Sequence, residues 1–170
     1  MLEHTHAIII IKNDKDEYLQ YFDERWNCYL FPNCKLTDEN HITIIKNYIS
    51  QQLNFECATK NILYVADKVH EKYSISANKM KKYHHYFYEV VKCNEFVDNY
   101  QSKNFTINNL NCSWFSIPEL ESNERIQKVN KTQAYSHNCK NMRCKNLLTH
   151  NVLLIVKIYQ KIQPLSTLIL

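Results

Sequence analysis

The stretch from Trp26 to Phe55, WNCYLFPNCKLTDENHITIIKNYISQQLNF, constrains this chain more than any other, because it changes period without a gap. Trp26 to Phe31 reads as an extended piece, and Pro32, which has no N–H for a ladder, stops it. From Asp38 to Asn54 the residues Ile42, Ile45, Ile49 and Leu53 recur at spacings of three and four, which places them on one stripe of a helix. Thr37 or Asp38 is placed to cap its start and Asn54 to end it. Glu39 is expected in the first turn, where the helix dipole favours a negative charge. The rest of the chain reads as supporting this unit.

Thr5 to Lys12 is a short apolar run that reads as a buried strand, and Asn13-Asp14-Lys15-Asp16 has the composition of a hairpin turn. Glu17 to Asp23 is expected to pair with that strand across the turn. Thr59 to Val69 and Tyr83 to Cys93, rich in Tyr, Val, Ile and Phe, are expected as central strands, with a polar connection from Glu71 to Lys82 between them. Cys112 to Ser116 is a further short strand, and Pro118 is placed to open a helix through Glu119 and Leu120. Asn146 to Ile162 predicts a long C-terminal helix with a face that covers the sheet. Interleaved strands and helices in this order favour an α/β layered domain with a mixed sheet, expected as one domain over residues 1–170.

The chain has no glycine among its 170 residues, against a usual share of about 7%. Asparagine is the next most tolerant residue for left-handed backbone, so Asn13, Asn33, Asn54 and the pair Asn108-Asn109 are expected at turns, and Gly-dependent phosphate loops are excluded. A net charge of +4 suits an anionic ligand but is too modest to argue for nucleic acid. No apolar run approaches the roughly 18–20 residues of a membrane span, and the N-terminus lacks a secretory pattern, so a cytoplasmic location without membrane contact is expected. Seven cysteines at irregular spacing then read as reduced thiols.

The strand, Pro turn and helix of Trp26–Phe55 resemble the central loop and helix of the Nudix hydrolases. That family's signature is a Gly, five residues, a Glu, seven residues, then Arg-Glu-aliphatic-x-Glu-Glu-x-Gly-aliphatic. With Asn33 at the first Gly, Glu39 falls on the first Glu, and Asn47, Tyr48, Ile49, Ser50, Gln51, Gln52, Leu53, Asn54 and Phe55 fall on the rest. The segments HAIIIIKNDKDEYLQYF, YHHYFYEVV and CSWFSIPEL resemble the family's first hairpin, a later central strand, and the Trp-containing strand before a Glu-Leu helix. The likeness spans about residues 5–130 and implies a Nudix-like α/β/α sandwich with a mixed β-sheet.

In that family the signature carboxylates hold Mg²⁺ or Mn²⁺, which bridges a diphosphate and activates water. Here Gln51 and Gln52 keep oxygens of similar reach but lose the charge, Tyr48 replaces a third carboxylate, and Asn47 replaces the Arg that orients them. The resemblance therefore implies a chain impaired as a nucleoside-diphosphate hydrolase, with no resident cofactor, in which Glu39 is the one retained candidate catalytic residue. The alternative is a divergent active enzyme whose Mg²⁺ or Mn²⁺ is held by Glu39 with Glu56, or with Asp38, Asp67, Glu71 or Glu89.

His84, His85, Tyr86 and Tyr88 lie on one expected strand, where alternate residues share a face. Either Tyr86 and Tyr88 stack a nucleotide-like small molecule whose phosphates meet Lys82, or they fill the core. A further alternative is an interaction domain for a protein partner or a homodimer, with Leu165 to Leu170 as a contact. His137, Cys139, Cys144 and His150 are zinc-ligand types, but their spacing matches no zinc pattern, and they read as ordinary residues of a polar loop.

Overall fold

A computed structural model describes residues 3–74 and 78–126. The expected C-terminal helix, the terminal apolar tail and the His137–His150 group lie outside those residues. Among the described residues, eight strands form two four-stranded sheets. The first has the order β4 (Asn33–Lys35), β1 (Glu3–Ile11), β6 (Lys79–Val90), β5 (Ile62–Ser74); β1 and β6 are parallel and the other pairs antiparallel. The second is antiparallel, in the order β3 (Cys28–Leu30), β2 (Tyr18–Asp23), β8 (Leu110–Phe115), β7 (Asn104–Ile107).

The expected hairpin between the first two strands is corrected here. The turn forms, with the Asn13 side-chain oxygen accepting from the backbone N–H of Lys15 and Glu17, but β1 and β2 share only one bridge, Lys12 to Tyr18, and enter different sheets. β1 is apolar on both faces, with Ala7, Ile9 and Ile11 in one buried cluster and Ile10 in another. Such a strand belongs inside a sheet covered on both sides, and β1 lies inside its sheet, between β4 and β6.

The expected connection Glu71–Lys82 is corrected as well, since most of it is paired backbone in a long β5–β6 hairpin that places Glu71 opposite Lys82. Opposite charges facing each other favour that pairing. β6 is central as expected, whereas β5 is an edge strand.

The helix α1 runs His41–Leu53 and buries Ile45, Ile49 and Leu53 against Ala7, Ile9 and Ile11 of β1 and Leu19, Cys112 and Trp114 of the second sheet. It starts later than the sequence suggests. Asn40 is the N-cap, its side-chain oxygen accepting from the N–H of Ile42 and Thr43 at 2.9 and 3.4 Å. Glu39 therefore lies outside the first turn, which holds no acidic residue. Asn54 closes the helix in the left-handed region at φ 53°.

Two short helices complete the described fold. α2 (Asn94–Asn99) supplies Phe96 to the core and precedes Tyr100, whose carbonyl accepts from the buried Trp114 indole at 2.6 Å. α3 (Ile117–Ser122) opens through Pro118 as expected, under a reciprocal cap between Ser116 and Glu119. No helix among the described residues is long and apolar enough to cross a membrane.

Candidate functional site

The phase that buries Ile45, Ile49 and Leu53 decides where the signature positions point. Asn47, Gln51 and Gln52 are exposed, while Tyr48 turns inward and packs at the core edge with Tyr21, Cys34 and Phe55. Burial pushes the Tyr48 hydroxyl well above its ordinary range, and Tyr21 beside it adds to the shift. Tyr21 is itself raised by burial and accepts from Asn33 Nδ2 at 3.1 Å. The Cys34 thiol is pushed up to about 11 by the same cause. This corner, where the resemblance implies carboxylates, is filled by groups that stay neutral.

The remaining acids do not compensate. Glu56 accepts from Ser50 Oγ at 2.5 Å near the far end of α1, whereas Glu39 precedes the N-cap Asn40. Asn40 and Ser50 are ten positions apart, about 15 Å along a helix axis. Glu39 and Glu56 therefore cannot share one ion as the active alternative expects, and that pairing is corrected. Glu89 alternates onto the face opposite Tyr88 and is buried with Oε2 unpaired. Asp67 and Glu71 share a face of β5 but lie four residues, roughly 13 Å, apart. No group of three His, Cys, Asp or Glu comes together to hold a metal among the described residues. Mg²⁺ and Mn²⁺ need several hard oxygen donors at one point, so the described residues do not fit the ion.

The second region is denser. Lys82, His84, Tyr86 and Tyr88 share one face of β6 by alternation, which brings together three of the residues expected to meet a ligand, Lys82, Tyr86 and Tyr88. The rings of His84 and Tyr86 stack with centroids 4.1 Å apart. His41, the first residue of α1, sets its ring edge-on to Tyr86 at 4.8 Å and its Nδ1 3.0 Å from the Tyr88 hydroxyl. From β5, Tyr64 lies opposite Tyr88, with ring centroids 5.8 Å apart.

One irregularity completes the group. The register of β5 slips between Tyr64 and Ala66, so Asp67 rather than Ala66 or Lys68 faces the same side as Tyr64. Asp67 then accepts from the Tyr64 hydroxyl at 2.5 Å and from His84 Nε2–H at 2.7 Å. Those two donors hold its carboxyl below the usual range, and donation to Asp67 pushes the Tyr64 hydroxyl up to about 12. Tyr88 is buried and forms the floor of this face, while Tyr64 at 55% exposure forms its rim. Sequence reasoning did not assign His41, Tyr64, Asp67 or His84 to this group. Alternation alone reaches His84; the others depend on where α1 begins and on the slip in β5.

No family model and no curated protein matches the sequence. Solved structures do. The chain is similar to the NUDIX domain of Shewanella oneidensis NrtR, solved in complex with ADP ribose, at 9% identity and a TM-score of 0.50, covering 95% of this chain and 88% of that one. It is also similar to a NUDIX hydrolase from Nitrosomonas europaea, at 15% identity, a TM-score of 0.46, and 74% and 80% coverage. A third is the C. elegans Ap4A hydrolase, at 10% identity, a TM-score of 0.44, and 79% and 98% coverage. Likeness at such identity speaks for the backbone alone. With a mixed sheet, an antiparallel sheet and the strand, Pro turn and helix of Trp26–Phe55 in this order, the described residues have an α/β fold like that of the Shewanella NUDIX domain.

Proposed function

We propose that this chain is a Nudix-fold binding protein, impaired as a metal-dependent nucleoside-diphosphate hydrolase, that takes a nucleotide-like ligand on the His84–Tyr86–Tyr88 face. The observation that carries the reading is the contrast in donors. The signature positions offer Asn47, Gln51, Gln52 and a partly buried Tyr48, whereas the sheet face offers stacked rings with a fixed hydrogen-bond network. Flat rings stack on aromatic side chains for about 1–3 kcal/mol each, and the Shewanella domain was solved with a ligand of this class. Lys82, on the same face, is the cation nearest in sequence to the stacked pair and is assigned to the phosphates. The reading takes residues 1–170 as one domain acting in the cytoplasm.

Calorimetric titration of ADP ribose and a panel of nucleoside diphosphates in EDTA tests it. Binding without metal is expected, with Tyr86→Ala weakening it about tenfold or more and Tyr86→Phe retaining most of it. Binding that requires Mn²⁺, accompanied by turnover, would favour the divergent enzyme instead.

A further inference from the structure

Within that same face, we propose that Asp67 is the specificity-determining residue, selecting a planar heterocycle that presents two adjacent N–H donors, the chemistry of a guanine-type ring edge. This rests on the reading that the face binds a nucleotide, and adds which base it takes.

Three observations carry it. The slip in β5 turns Asp67 onto the face of the rings, where regular alternation would have put Ala66 and Lys68. A slip of this kind re-aims one side chain at the cost of a ladder position. Next, Asp67 is fixed from both sides, Oδ1 by the Tyr64 hydroxyl and Oδ2 by His84 Nε2–H, yet its side chain remains 40% exposed. An ionised carboxylate has about four acceptor sites and no donor, so two are taken and each oxygen keeps capacity for an incoming N–H. The orientation of those oxygens is set before any ligand arrives, which lowers the ordering cost of binding. Finally, the Tyr64 hydroxyl ends on Asp67 and its ring is more than half exposed. A flat ring laid on Tyr64 would have the carboxylate beside its edge, within reach of N–H groups that tilt toward it.

Charge sets the sign of the preference. Glu71 sits opposite Lys82 on this face, so the Asp67 carboxylate, opposite Tyr86, is the charge that attracts N–H edges at the rings. A guanine edge offers an imino and an amino N–H side by side, matching two carboxylate oxygens. Hypoxanthine keeps the imino N–H but lacks the amino group. Adenine sets its amino group beside a ring nitrogen whose lone pair opposes the carboxylate.

The test is calorimetric titration of the full chain with GMP, IMP and AMP in EDTA. GMP is expected to bind at least about tenfold more tightly than IMP or AMP, the scale of a hydrogen bond to a charged group. Asp67→Asn, at an exposed position, is expected to keep the fold and to collapse that preference, with AMP binding unchanged or improved. Tyr64→Phe, which keeps the ring but frees Oδ1, is expected to reduce the preference partially. Equal affinities in the unaltered chain, tighter binding of AMP, or a preference that survives Asp67→Asn would overturn the assignment while leaving the binding reading intact. Failure of all three nucleotides to bind would overturn both.

Discussion

The outward face of α1 and the ring-lined face of β6 make an instructive pair. Both are parts of one fold, and both present polar groups beside a buried core. On α1 Asn47, Gln51 and Gln52 are exposed and Tyr48 packs, partly buried, against the core edge. On β6 nothing in the spacing is distinctive, but His41, Tyr64, Asp67, His84, Tyr86 and Tyr88 are joined through ring contacts and hydrogen bonds across three elements. Spacing thus follows the fold, whereas any chemistry has to be argued from the groups a site brings together.

Splitting α1 between its two faces should give the largest effect. Ile49 is fully buried, and Ile49→Ala should cost about 2–5 kcal/mol in urea unfolding, whereas exposed Gln52→Ala should stay within about 0.5 kcal/mol. Equal effects would remove the distinction between a structural and a vacated face. Restoring one signature acid tests the same boundary from the other side. Tyr48→Glu should cost roughly 3 kcal/mol at neutral pH, because it places an unpaired carboxylate in the neutral corner of Tyr21, Asn33 and Cys34. Protonation of that carboxyl should shrink the loss in mild acid. A stable variant that binds Mn²⁺ would show instead that the site is only dormant.

Smaller effects belong to the ends of elements. Asn40→Ala removes the side-chain acceptor of the N-cap and should cost about 1 kcal/mol in the same assay. It should also loosen His41, which follows the cap, and so reach the sheet face.

Among the described residues, the carboxylate with the most strongly lowered value belongs to neither face. Lys103 and the Ser116 backbone N–H hold Glu119 at about 2 instead of 4.5. A group lowered in the folded state stabilises above its ordinary value, and loses that contribution as pH falls from about 4.5 toward 2. Glu119→Gln should therefore differ from the unaltered chain most at neutral pH and converge with it near pH 2, by a modest amount, since Lys103 and Glu119 are each over 40% exposed. Urea midpoints across that range would check it.

Much of the fold was legible because burial imposes periods. The stripe on α1, the Pro118 helix start and the apolar run of β1 all follow from which residues must avoid water. The glycine-free turns were legible in part. Asn54, Asn108 and Asn109 do take positive φ, but Asn33 is a strand residue, and Asn13 works through its side-chain acceptor while Asp16 takes the left-handed place. Asn27, Asn78 and Lys92 at positive φ were not foreseen. A polar turn is visible in composition, whereas the residue that adopts the unusual backbone depends on the register of the flanking strands.

The candidate site was less legible for the same reason. Tyr86 and Tyr88 share a face by simple alternation, so they could be named. Asp67 joins them only because β5 slips by one residue, which leaves no mark in the pattern of residue types, and His41 joins them only because Asn40 rather than Thr37 or Asp38 caps α1. Local choices of cap and register, decided by tertiary contacts, assemble the group.

The most direct test of the central claim is a single comparison of nucleotide binding with and without metal. The chain is titrated with a nucleoside diphosphate in EDTA and again in Mn²⁺, and product is assayed in both. Equal affinity with no product is the expected result. Affinity that appears only with Mn²⁺, with product formed and then lost in Glu39→Gln, would contradict it.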